Sequence, residues 1–107
     1  MQIHWTDFEA VTQAQRDAVE RRITALADER DDLLDVRLVA HQTNHHRFGG
    51  REVRIVCQAR GSDIVASCER AELGRALDEA VDDFEREVRR ARERRRAHAR
   101  FGPPTAR

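Results

Sequence analysis

Val53-Arg54-Ile55-Val56-Cys57-Gln58-Ala59-Arg60, then Gly61-Ser62, then Asp63-Ile64-Val65-Ala66-Ser67-Cys68 is the stretch that decides the architecture. Val53, Ile55, Cys57 and Ala59 alternate with Arg54, Val56, Gln58 and Arg60, and Ile64, Ala66 and Cys68 carry the same apolar face onward. A period of two over this length packs one face and wets the other, as in an antiparallel sheet covered on one side. Gly61-Ser62 suits a tight two-residue hairpin with glycine in the first central position. Pairing Arg60 with Asp63 then sets Cys57 opposite Ala66 and only diagonal to Cys68. The two cysteines therefore read as free thiols of a reducing cytoplasm, with neither a disulfide nor a metal-ligand spacing.

Upstream, Val36, Leu38 and Ala40 alternate with Arg37, Val39 and His41, which predicts a second long strand, joined to the first by a polar connection over residues 42–50. Gln2-Ile3-His4-Trp5 predicts a short strand with Ile3 and Trp5 on one face. Between them, Thr12-x-x-Gln15 has the form of a capping box, and Val11, Ala18, Val19, Ile23 and Leu26 follow a helical period up to the acidic run over residues 28–32. After the hairpin, Leu73, Leu77, Ala80, Val81, Phe84 and Val88 make a second helical stripe, and Pro103-Pro104 stops it. The predicted fold is α+β: a single β-α-β-β-β-α domain, a four-stranded sheet with two helices packed on one face, its other face polar. A helix from Leu73 to Ala99 would run roughly 40 Å. The domain is therefore expected over residues 1–100, with an Arg-rich helical extension projecting from about 92 and a disordered tail over 101–107.

With 107 residues and one modest apolar set, the chain excludes a large multidomain enzyme, a collagen-like chain, a disulfide-stapled mini-protein and a membrane span. Twenty basic residues, every one Arg, balance twenty acidic ones. A net charge of zero argues against a nucleic-acid partner until it is counted by segment. Residues 86–107 hold nine Arg against two Glu, a surplus of seven positive charges, and residues 1–85 hold 11 Arg against 18 acids, a deficit of seven. Acids first and arginines last along one helix suit its macrodipole, and Asp82–Arg86 and Glu85–Arg89 are spaced as i,i+4 pairs. The run Arg94-Arg95-Arg96 exceeds what that accounts for, and points to an anionic partner.

Element order and spacing, the opening Met1-Gln2-Ile3, the Val11-Thr12 helix start, the run Ile64-Val65-Ala66-Ser67, and Ala76-Leu77-Asp78 followed by Val81-Asp82-Asp83-Phe84-Glu85-Arg86-Glu87-Val88-Arg89-Arg90 together resemble the hibernation-promoting factor and ribosome-associated inhibitor family of bacteria over about residues 1–96. The resemblance is to the short form, without the C-terminal dimerisation domain of longer members. It implies a cytoplasmic, non-enzymatic protein that binds the small ribosomal subunit and its rRNA, occludes the decoding channel and silences translation in stress or stationary phase. It also implies no cofactor, no small-molecule substrate and no membrane. Arg16 and Arg22 on the first helix and Arg86 and Arg90 on the second fall where the family tends to carry basic residues. With Arg89, Arg92, Arg94, Arg95 and Arg96 they form the expected RNA-binding set, since the guanidinium is suited to bidentate phosphate contacts. Ala25, Asp28 and Asp83 stand where family members often have Lys. The alternative is a protein-interaction module of the same fold that self-associates through its long C-terminal helix.

His41, His45 and His46 lie in one segment with Asn44 and Arg47, but they supply no closed ligand set and read as a solvated loop. Asp31-Asp32 and Asp82-Asp83 are adjacent acids that do not converge on a substrate. There is no GxSxG, Walker loop or GxGxxG, so no catalytic constellation is predicted.

Overall fold

A computed structural model describes residues 1–44 and 50–101, the last four of these by backbone only. The chain runs β1 (Gln2–Thr6), α1 (Gln13–Arg30), β2 (Leu33–Thr43), β3 (Gly50–Ala59), β4 (Asp63–Arg70) and α2 (Leu73–Phe101). The four strands form one sheet in the order β1-β2-β3-β4. β1 lies parallel to β2, with Ile3 beside Val36 and Trp5 beside Leu38, because α1 carries the chain back across the sheet between them. The other two pairings are antiparallel.

The predicted alternation becomes the core. Val36, Leu38, Ala40, Val53, Ile55, Cys57, Ala59, Ile64 and Ala66 are buried on one face, beneath Val19, Ile23 and Leu26 of α1 and Leu77, Val81, Phe84 and Val88 of α2. A register shift between Leu33 and Asp35 inserts a residue in β2, so Leu33 and Val36 both face inward despite their odd spacing. Phe8 is also buried: Asp7 takes a left-handed conformation (φ 67°), and Phe8 meets Trp5 edge-on at 5.0 Å. The opposite sheet face is less polar than expected, since Val39 and Val56 are half-buried on it and Val65 is exposed.

The hairpin departs from the expected register. The ladder closes at Gln58–Asp63, leaving a four-residue loop, and Cys57 pairs with Ile64 while Cys68 pairs with Val53. A shift by two keeps every side chain on its face, so the alternation is blind to it. Gly61 sits in this loop at φ 96°, where a side chain would be strained. Four ladder steps separate the cysteines, roughly 13 Å along the strands, beyond disulfide reach. Both are free thiols. Burial, reinforced by the charges of Asp32, Asp35 and Asp63, pushes the Cys57 thiol up to about 12. A thiol titration with an aromatic disulfide at pH 8 should therefore show half-exposed Cys68 reacting first and Cys57 only on unfolding; equal rates would contradict the packing.

β2 and β3 reach farther than the alternation suggested, taking in both ends of the polar connection. His45, His46, Arg47 and Gly49 lie outside the described residues, as does the expected tail from Gly102 on. The helix C-terminal to β4 has 29 residues, about 43 Å. It turns back along the sheet, and at Arg95 it still touches the β3–β4 hairpin: Arg95 Nη1 donates to Arg60 O at 2.8 Å. No helix among the described residues is long and apolar enough to cross a membrane.

Candidate nucleic-acid interface

Two helices on one sheet face leave a seam between them, and here the seam is polar. Thr12 caps α1 by accepting from Gln15 N at 3.1 Å, which places the Gln15 side chain over α2. Its Nε2 donates to Gly74 O at 3.1 Å and to Asp78 Oδ1 at 3.3 Å. Two turns on, Arg22 Nη2 donates to Asp82 Oδ1 at 2.6 Å and Glu85 Oε1 at 2.7 Å. The hydrogen bond that Arg22 donates to Glu85, offset in part by desolvation, raises the Arg22 pKa further. Beyond that the charges exchange sides, and Glu29 of α1 takes Arg92 at 3.0 Å and Arg89 at 3.8 Å from α2. Acids then arginines along α2 thus complement arginine then acid along α1. The expected Asp82–Arg86 and Glu85–Arg89 pairs do not form, because Arg22 already holds both carboxylates.

The seam ends in a buried ion pair. Asp31 caps α1 in a left-handed conformation (φ 48°), its N–H on Ala27 O, and that turn sends Asp32 under α2. Asp32 Oδ1 accepts from Arg92 Nη2 at 2.8 Å and Oδ2 from Arg92 Nε at 2.9 Å, with Arg95 Nη2 also bonded to Oδ2. Arg92 Nη2 further donates to Leu26 O at 2.8 Å. The two side chains are 8% and 6% exposed, for Arg92 and Asp32 respectively. The hydrogen bonds from Arg92, then from Arg95, hold the Asp32 carboxyl below its ordinary range against the opposing effect of burial, and Asp32 raises Arg92 in turn.

The nine expected RNA-binding arginines therefore divide. Arg92 lies inside the fold: every guanidinium nitrogen donates to a group of the domain, and three residues on Arg95 is bonded to Asp32 and Arg60 O. Arg16 is half-buried against β1 and the turn that follows it. Its Nη2 donates to Phe8 O at 2.7 Å, its guanidinium carbon sits 5.8 Å from the Trp5 ring centre, and its Nε is buried without a partner. Trp5 is fixed in turn by donating Nε1 to Glu20 Oε2 at 2.6 Å. Arg22 is held in the seam, and Arg95 is tied to Asp32 and the hairpin.

Arg86, Arg89, Arg90, Arg94 and Arg96 remain, all exposed along the outward side of α2. Arg86 pairs with Asp83, Arg90 with Glu87 at 2.8 Å, and Arg96 with Glu93 at 3.6 Å, all i,i+3 and solvent-facing. Such pairs are worth about 0–1 kcal/mol, so their arginines can exchange a carboxylate for a phosphate. Arg94 has no ion pair among the described residues. Glu29, Asp32 and Arg60 are partners of the basic helix that the sequence does not reveal; with separations of 35 residues and more, no local signal marks them. Among the described residues no group of three or more His, Cys, Asp or Glu could hold a metal ion.

No curated protein matches the chain in sequence. Among solved structures it is similar to the N-terminal domain of Thermus thermophilus Protein Y, at 27% identity and a TM-score of 0.61, over 83% of this chain and 93% of that one. A ribosomal subunit interface protein from Coxiella burnetii shares the fold at 17% identity and a TM-score of 0.66, over 87% of this chain and 99% of that one. The family model described as sigma 54 modulation protein / S30EA ribosomal protein matches residues 1–96, the span from β1 through the Asp32–Arg92 lock and the outward arginines, and the chain belongs to that family.

Proposed function

We propose that this protein is a non-enzymatic ribosome-binding factor, cytoplasmic in its site of action. It docks on the small subunit through rRNA phosphates, occludes the decoding channel and silences translation under stress or in stationary phase. The observation that carries the reading is the row Arg86, Arg89, Arg90, Arg94 and Arg96 on the open side of α2, in a chain of this family. These arginines come from a single rigid helix, are spaced along its length, and bond only to exposed acids. They can thus meet a phosphate backbone without unfolding anything, and such binding reads the shape of the RNA rather than its sequence. The acids of α1 and of the first half of α2 restrict the positive surface to one end, which limits adventitious binding to other polyanions.

The test is sedimentation of the purified protein with bacterial small subunits through sucrose at low and high salt, alongside Arg86→Glu/Arg90→Glu. Wild type should co-sediment at low salt and be released at high salt, and the double reversal should abolish binding at both. Absence of co-sedimentation at low salt overturns the reading; binding indifferent to salt and to the reversal overturns the phosphate mechanism. Concentration-dependent self-association, lost on trimming from Arg92, would favour the interaction module instead.

A further inference from the structure

Where α1 ends, the β3–β4 hairpin turns and α2 passes above both, there is a cleft of about 380 Å³ lined by Arg30, Asp32, Arg60, Arg92, Arg95 and Arg96. Five guanidinium groups face one carboxylate. Asp32 is already saturated by Arg92 and Arg95, so it offsets only part of that charge. The remaining three come from three different elements. Arg60, on the hairpin, is steadied by donating Nε to Asp31 O at 3.1 Å, which leaves its two terminal amines without an acceptor among the described residues. The side chain of Arg30, in the last turn of α1, has no hydrogen bond or ion pair among them either. Arg96 has only the long 3.6 Å approach to Glu93. The walls are fixed: Arg95 bridges Asp32 to Arg60 O, and its Cδ lies 3.5 Å from where a Cβ on Gly61 would stand.

We propose that this cleft is an oxyanion seat that takes a phosphate group. A planar carboxylate is satisfied by one guanidinium fork, and Asp32 already fills that role within the wall. A tetrahedral phosphate presents oxygens in several directions, and suits forks converging from a helix end, a hairpin and a second helix. The Asp32–Arg92 pair preorganises the seat, so little side-chain ordering is left for binding. The phosphate can belong to an RNA backbone or to a free polyphosphate. The seat can be assayed apart from ribosome docking, since of the outward row on α2 only Arg96 lines it.

The experiment is calorimetric titration of the full chain with inorganic pyrophosphate in a phosphate-free buffer at low salt, with no ribosome present. One saturable site is expected. Arg60→Gln/Arg96→Gln should weaken it at least tenfold, Arg30→Gln should weaken it less, and Arg75→Gln, at the other end of α2, should leave it unchanged. Thermal melts without ligand establish that each variant is folded. Competition names the source: displacement by a short single-stranded RNA assigns the seat to the RNA backbone, and displacement only by a nucleoside triphosphate assigns it to free polyphosphates. No saturable binding, or equal loss in Arg75→Gln, overturns the proposal. Because the assay contains no ribosome, that failure leaves the sedimentation result standing, and the reverse holds too.

Discussion

Asp32→Asn is expected to destabilise the domain by about 3–5 kcal/mol, because it takes from the buried Arg92 guanidinium the carboxylate that holds two of its nitrogens and leaves it only the exposed Glu29. That is a large share of the roughly 5–15 kcal/mol that holds a typical domain together, and should lower the melting temperature by well over 10 °C on the scale of about 4–8 °C per kcal/mol. Arg92→Met should cost less. It removes the charge that needs a partner and keeps most of the stem, while Asp32 retains Arg95. In the double variant the loss should be smaller than the sum, since no buried charge is then left unpaired and only the solvent-accessible Arg95 loses its carboxylate. Additive losses would show that Asp32 and Arg92 act independently, contrary to the geometry.

The same pair fixes a pH dependence. The folded pKa of Asp32 is depressed, first by the hydrogen bond from Arg92. Its stabilising contribution is therefore fully present above the unfolded value, near 3.9, and is lost as pH falls through the lower folded value. Urea melts of wild type and Asp32→Asn should lie far apart at pH 7 and converge below about pH 4. A gap that stays constant through that range would mean Asp32 is not the titrating group.

What the sequence revealed follows from the range of each interaction. Alternation in β2, β3 and β4 and the stripe from Leu73 to Val88 are local periodicities imposed by a shared core, so element order and both helix faces could be read directly. The hairpin register could not be, because a shift of two leaves inward and outward residues unchanged and only the loop length differs. Phe8 escaped because one left-handed Asp7, not a repeat, turns it inward. The basic helix was the hardest part. Arg92 and Arg94 look alike in the sequence, both flanked by charge near the end of one helix, yet one is sealed against Asp32 and the other is in water. The difference is two residues of helical rotation, about 200° at 3.6 residues per turn, relative to an acid 60 residues away. The surplus of seven positive charges divides in the fold: some of its arginines join the helices, and the others lie open along α2. Only the open ones belong to the interface proposed above.

That division makes the salt dependence of RNA binding the sharper test. If Arg86, Arg89, Arg90, Arg94 and Arg96 each neutralise one phosphate, the logarithm of the affinity should fall against the logarithm of salt with a slope of about −3.5 to −4.5, from roughly −0.7 to −0.9 per contact. Between 50 and 200 mM salt this is a loss of about 130- to 500-fold. Measured by fluorescence anisotropy on a small-subunit rRNA fragment, Arg90→Gln should reduce the slope by about one contact and leave the melting temperature nearly unchanged. Arg22→Gln should do the opposite, lowering stability through the lost bridge to Asp82 and Glu85 while the slope stays at its wild-type value. A composition-driven interaction would make the two variants equivalent, since each removes one positive charge. Equal slopes for both would therefore show that total charge, not the outward face of α2, governs binding. Unequal slopes in the stated order separate the arginines that meet RNA from those that hold the helices together.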